Sequence, residues 1–116
     1  KTKKNFDIQD NPAHGACSLI SKKIFKKIGC YNNKWDRQDG YYIWLAFLLN
    51  NYRIIHCKKP LFFYRKHNNN LSSDFVKIIK TRLEILNFFS KIKPSYKKLL
   101  QNNKKKTITE LNGINK

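Results

Sequence analysis

Methionine is absent from this chain of 116 residues, and acids are scarce, with 7 Asp and Glu against 25 Lys and Arg and a formal net charge of +18. A start of Lys1-Thr2-Lys3-Lys4 with no methionine anywhere gives the expectation that the sequence is a piece of a longer protein. Cysteine is sparse as well. Cys17, Cys30 and Cys57 are odd in number, widely spaced and free of any Cys-x-x-Cys, which argues against both a disulfide framework and a zinc site. A reducing, cytoplasmic setting is therefore expected. No apolar run approaches the roughly 20 residues needed to span a bilayer, and no signal-peptide pattern opens the chain. Any membrane contact is expected to be peripheral, at the inner face.

What is present argues for a folded protein. Hydrophobic residues at 41% and aromatics at 14% are too many for wholesale disorder, while the length allows at most one domain with a modest core. The positive charge bears on partners and not on fold, since its field attracts phosphates of nucleic acid, lipid headgroups and nucleotide sugars alike. Two origins for it stay open. Heavy use of Lys, Asn and Ile is what an AT-rich coding sequence produces on solvated faces; selected attraction would have an anionic membrane surface as its target.

Along the chain, residues 1–10 read as a polar loop leading into the domain, and Asn11-Pro12 marks a turn. Ala13 to Ile20 is short and apolar enough for a buried strand. Ser21 then stands where a helix N-cap belongs, Ile24, Phe25 and Ile28 fall at helical spacing, and Gly29 suits a left-handed C-cap. A loop carries Trp35 and Asp36. From Gly40, the positions Tyr41, Trp44, Leu45, Leu48 and Leu49 predict a helix that stops at Asn50-Asn51. Arg53 to Cys57 and Leu61 to Tyr64 read as short strands on either side of Pro60. A further helix, capped by Ser72 or Ser73, presents Phe75, Ile78, Ile79, Leu83, Leu86 and Phe89 on one face. Pro94 divides it from a weaker basic helix at Ser95 to Asn102, after which a frayed tail is expected. The expected organisation is an acceptor-side half over 11–93 and a basic, partly frayed tail over 94–116.

The order of parts from Gln38 to His67 carries a resemblance. Gln38-Asp39-Gly40 precedes an apolar helix containing Trp44-Leu45, and Tyr64-Arg65-Lys66-His67 closes the stretch. Upstream stand Asn11-Pro12-Ala13-His14-Gly15-Ala16 and then Ile28-Gly29-Cys30-Tyr31. Together these resemble the carboxyl-terminal half of the catalytic domain of family 2 glycosyltransferases, inverting enzymes of the GT-A fold. The resemblance covers about Asn11 to Ser72. It implies a mixed α/β fold, an α+β piece in which a few short strands pack with three or four helices, and a nucleotide-binding half that lies outside this chain. It also implies transfer of a sugar from a nucleotide-sugar donor to a glycan or lipid-linked acceptor in surface polysaccharide synthesis. The implied cofactor is a divalent metal, Mg or Mn, held mainly by residues outside the chain; no Asp-x-Asp occurs here.

By the same resemblance Asp39 is the general base, a role that a carboxylate at a helix N-terminus can fill. The plain alternative is a helix cap worth about 1 kcal/mol. His14, Gly15, Gln38, Trp44, Arg65 and His67 are the implied substrate-binding residues. Gly15 would admit the donor sugar close to the backbone, and His14 would hydrogen-bond the diphosphate or the acceptor. Their alternatives are a strand bulge and a core histidine. Arg65 would pair with the departing diphosphate through its planar fork, with His67 beside it, unless both are solvated loop residues. Asp36 reads as a loop acid facing water. Where many members of the family carry a further acid and a further cation, this chain has Tyr42 and Ala46, so acceptor specificity does not transfer. A basic module that binds nucleic acid or an anionic surface is an alternative, suggested by the charge and by the interleaved Tyr41, Tyr42, Phe62, Phe63 and Tyr64, although these follow apolar patterns that read as core and nucleic acid is not the expected partner. A non-catalytic remnant of such a transferase, packing against another chain, is a further alternative. Little or no turnover is expected of these residues alone.

Overall fold

The computed structural model describes residue 8, residues 15–68 and residues 74–114. Its elements are α1 (Lys22–Lys27), α2 (Asp39–Leu49), α3 (Phe75–Ile92) and α4 (Lys97–Ile114), with 3₁₀ turns at Gly15–Cys17, Asn33–Trp35 and Pro94–Tyr96. Among the described residues there is no strand, so the chain is helical and not the mixed α/β, GT-A-like piece that the sequence led us to expect. Arg53–Cys57 and Leu61–Tyr64, expected as strands, have no ladder partner. Ala13–Ile20 gives a 3₁₀ turn over its described part. The physical reason is that a helix satisfies its backbone groups internally, whereas a strand exists only where a neighbour pairs with it.

The two ends of α1 and α2 were legible and have a common cause. At the end of α1, Gly29 takes φ +96°, the Cys30 N–H donates to the Phe25 carbonyl at 3.0 Å and the Gly29 N–H to the Lys26 carbonyl at 3.2 Å. This is a Schellman closure, which needs a left-handed residue just past the helix. At the end of α2, Asn51 takes φ +62° and Tyr52 and Asn51 donate to the carbonyls of Phe47 and Leu48 in the same pattern. Ser21 does stand at the N-cap of α1, but its side chain makes no capping bond. Ser72 and Ser73 lie outside the described residues, and the capping oxygen of α3 is Asp74 Oδ1, which accepts from the Lys77 N–H at 3.1 Å.

The α2 helix has no charged residue after Asp39, and it buries Tyr41, Ile43, Leu45, Ala46 and Leu49. A helix that is apolar on nearly every side has to be covered. Part of that cover comes from α3, which buries Ile78, Ile79, Thr81, Arg82, Ile85, Leu86 and Phe89 and shares the core cluster with α2 and with Leu100 of α4. Three side-chain hydrogen bonds fix how the two helices lie: Lys77 to Asp36, Arg82 to Gln38 and Lys93 to Asn50, at sequence separations of 41, 44 and 43. A nearly constant separation means that α2 and α3 run side by side in the same direction. Parallel neighbours cannot be joined by a tight turn, so the chain from Asn50 to Asp74 has to travel back the length of α2, about 16 Å.

Between α3 and α4 the connection is short, and the helices run antiparallel. Lys93 leaves the helical region at φ −128°, as the residue before a proline should, and Pro94 opens the 3₁₀ turn. The expected helix over Ser95–Asn102 with a frayed tail is corrected here: α4 is one helix as far as Ile114. Leu100, Asn103 and Thr107 recur at helical spacing and are buried, which anchors α4 as far as its eleventh residue. Asn103 Nδ2 and Thr107 Oγ1 donate to the carbonyls of Leu99 and Asn103, so neither polar group enters the interior unsatisfied. No helix among the described residues is long and apolar enough to cross a membrane.

Leu100 is fully buried in the cluster that joins α4 to α2 and α3. Replacing it with alanine is expected to lower the unfolding free energy by about 2–5 kcal/mol. Chemical denaturation of the full chain checks this, and a loss under ~1 kcal/mol would mean that α4 is only loosely attached.

Candidate functional site

The start of α2 is built by the loop before it. Asn32 Oδ1 accepts from the Lys34 N–H at 2.9 Å and opens the Asn33–Trp35 turn, which drops Trp35 into the core at 3% exposure. The indole stacks on Tyr42 at 5.6 Å, and Tyr42 stacks in turn on Phe89 of α3 at 5.4 Å. Burial pushes the Tyr42 phenol above its ordinary pKa, so its O–H remains a donor, and it donates to the Ile28 carbonyl at 2.8 Å. After Trp35 the chain turns sharply. Arg37 holds φ +67°, a left-handed conformation uncommon for a side chain without glycine's freedom.

That turn sets three consecutive polar side chains to different tasks. Asp36 bonds Lys77 Nζ at 2.8 Å and lies 3.9 Å from Arg37 Nε. Its carboxyl is held below the ordinary carboxylate value, chiefly by the hydrogen bond from Lys77. The sequence reading of Asp36 as a loop acid facing water is thus half right, for the residue is exposed but tethers α3. Gln38 is the N-cap residue of α2; its Nε2 donates to the Arg37 carbonyl at 2.8 Å, and its Oε1 accepts from Arg82 Nε at 3.1 Å. Both ends of the Gln38 amide are engaged in holding the fold.

Asp39 is different. It occupies the first helical position of α2, is exposed, and takes no side-chain hydrogen bond or ion pair from another described residue. The cap reading fails at this point, because the cap position belongs to Gln38. A carboxylate in this place is stabilised by the positive end of the helix and remains accessible to solvent.

The other candidate residues do not gather there. His14 lies outside the described residues. Gly15 is half-buried, and a Cβ added to it would stand 3.2 Å from the Tyr31 hydroxyl, so the room that glycine leaves is taken by Tyr31. Trp44 is half-buried within α2, five positions beyond Asp39. Arg65 and His67 are exposed in the irregular run 52–67 and make no hydrogen bond or ion pair with the described residues. Phe62, Phe63 and Tyr64 were expected in a core and are instead 46%, 101% and 47% exposed, whereas Tyr41 is buried as expected.

Sequence reasoning missed Arg82. It is 8% exposed, its guanidinium lies 5.0 Å from the centre of the Tyr41 ring, and it reaches Gln38 across the helix pair. The signal was available, since Arg82 sits at helical spacing between Ile78–Ile79 and Ile85–Leu86 on an otherwise apolar stripe. A shallow cleft lined by Asn87, Ser90, Lys91, Pro94 and Lys97 lies at the other end of α3. Among the described residues no three His, Cys, Asp or Glu side chains gather so that they could hold a metal ion.

The Asp36 tether has a pH signature. Because the folded carboxyl titrates below its ordinary value of 3.8, the stabilisation is complete above that value and is lost as pH falls through the lowered one. The expected result is that Asp36→Asn lowers the melting temperature at neutral pH and that the gap to the wild type closes below about pH 4. Thermal melts across an acid series check it, and a gap independent of pH would contradict the assignment.

Comparison with models of known families, with curated proteins and with solved structures finds no match for this chain.

Proposed function

We propose that this chain is the acceptor-side part of an inverting sugar transferase of the family 2 kind, with Asp39 as the general base. The observation that carries the reading is the exposed, unengaged carboxylate of Asp39 at the N-terminus of α2, beside neighbours whose polar groups are committed to the fold. The acceptor hydroxyl gives its proton to the Asp39 carboxylate as its oxygen forms a bond to the anomeric carbon. On the opposite face the bond from that carbon to the diphosphate oxygen breaks, and the nucleoside diphosphate leaves with the electron pair. Arg65, with an exposed guanidinium, suits the charge on that leaving group. The donor-binding half, and any Mg or Mn with it, belongs to residues outside this chain, and no step here runs through the metal. The acceptor is a glycan or a lipid-linked sugar, and the setting is the cytoplasmic face of a membrane that the chain touches peripherally.

One observation favours a second reading. With Phe62, Phe63 and Tyr64 exposed next to Arg65 and Lys66, the ground for setting aside a stacking surface for single-stranded nucleic acid is gone. Binding of that kind fades steeply with salt, while recognition of a nucleotide sugar resists it.

The test of the first reading is Asp39→Asn, made in a preparation that joins this chain to its donor-binding half. Turnover is expected to fall by about 10²–10⁴-fold with donor affinity nearly unchanged. The same substitution in the isolated chain should cost at most about 0.3–1 kcal/mol of stability, the worth of an acid at a helix N-terminus. A small loss of rate would sink the base assignment. A large loss of stability would restore a structural role.

A further inference from the structure

We infer that residues 53–67 are a docking segment that pairs, in strand fashion, with an acidic stretch of another polypeptide. Three independent properties of this segment converge. The first is apolar exposure: Ile55 is 75% exposed, Leu61 78% and Phe63 101%, in one short run of chain. Apolar groups concentrated in this way mark an interaction site, whereas scattered ones need no explanation.

The second is the backbone. From Arg53 to Phe63 there is no backbone–backbone hydrogen bond with another described residue, although the preceding Tyr52 N–H still donates to Phe47. Pro60 has no N–H to give, which leaves Arg53–Cys57 and Leu61–Phe63 as the stretches able to pair. Those are the two stretches whose composition favours strands. Addition of a strand from outside satisfies the backbone groups and covers alternate side chains at once.

The third property chooses the occupant. No Asp or Glu occurs between Asp39 and Asp74, while Arg53, Lys58, Lys59, Arg65 and Lys66 all fall within the segment. A second copy would set cations against cations, which opposes pairing. An acidic polypeptide is matched both in charge and in hydrogen bonding. Single-stranded nucleic acid would meet the charge and stack on Phe63, but it would leave Ile55, Leu61 and the backbone amides unanswered. The docking does not depend on the transferase reading, and Asp39→Asn is expected to leave it intact.

The probe is a capped peptide of about seven residues alternating glutamate and valine, titrated onto the full chain and followed by hydrogen exchange at individual amides. Binding should slow exchange at Arg53–Cys57 and Leu61–Phe63, weaken as salt is added, and fall by about tenfold in Leu61→Ser and again in Phe63→Ser. Both residues are exposed, so neither variant should unfold the chain; an unchanged melting temperature verifies this for each. Equal binding of a control peptide alternating lysine and valine would overturn the proposal, as would failure of the glutamate–valine peptide to bind or binding without slowed exchange in the segment. Oligouridylate bound through Phe63 in place of the acidic peptide would overturn it in favour of nucleic acid. Self-association in sedimentation, abolished by Phe63→Ser, would overturn it in favour of a second copy.

Discussion

The parallel packing of α2 on α3 is the constraint from which the remaining architecture follows. An eleven-residue helix with no charge after its first residue cannot stand in water, and its buried side chains share one core cluster with Ile85, Leu86 and Phe89 of α3 and Leu100 of α4. Apolar contact is non-directional and does not by itself set how one helix lies on another. Direction comes from the polar ties, Lys77 to Asp36 and Arg82 to Gln38 at one end and Lys93 to Asn50 at the other. Each donor lies on α3 or at its C-cap and each acceptor flanks α2, so a slide or a reversal of either helix would break all three.

Two consequences reach the candidate site. Gln38 and Asp36 tie the start of α2 to α3, while Asp39 is exposed and takes no side-chain hydrogen bond or ion pair from another described residue. A base has to be positioned by groups other than itself, and in the reading proposed above Asp36 and Gln38 would serve that purpose for Asp39. The parallel arrangement also imposes a long return from Asn50 to Asp74. Over its described part that return makes no backbone–backbone hydrogen bond from Arg53 to Phe63, and Ile55, Leu61 and Phe63 are exposed.

Sequence made the helices legible and the pairing illegible, for a physical reason visible in particular residues. Helical order is local: the spacing of Ile78, Ile79, Leu86 and Phe89, the left-handed positions at Gly29 and Asn51, and the break at Pro94 are all decided within a few residues. The extent of α4 was missed because its lysine-rich run hides Leu100, Asn103 and Thr107, whose burial depends on α3. Arg53–Cys57 has the composition of a strand, yet composition states only what a segment would do if offered a neighbour. At the site, the position of Asp39 at the head of α2 was readable from Gln38-Asp39-Gly40. The engagement of Gln38 by Arg82 was not, since it joins residues 44 apart.

The charge of the chain divides by location, and the division bears on its origin. Lys22, Lys23, Lys26, Lys27, Lys97, Lys98, Lys105 and Lys106 are exposed on the outer faces of α1 and α4, the distribution expected of compositional drift into solvated positions. Lys77, Arg82 and Lys93 have work in the fold, and a neutral residue at any of them would remove a tie between α2 and α3. The cations of the crossover belong to neither group. They flank exposed apolar residues, Phe63 among them, in a stretch without a single acid from Gly40 to Ser73. Exposure of the apolar part is costly in water, and the docking inferred above would relieve it while leaving the cations matched by acids.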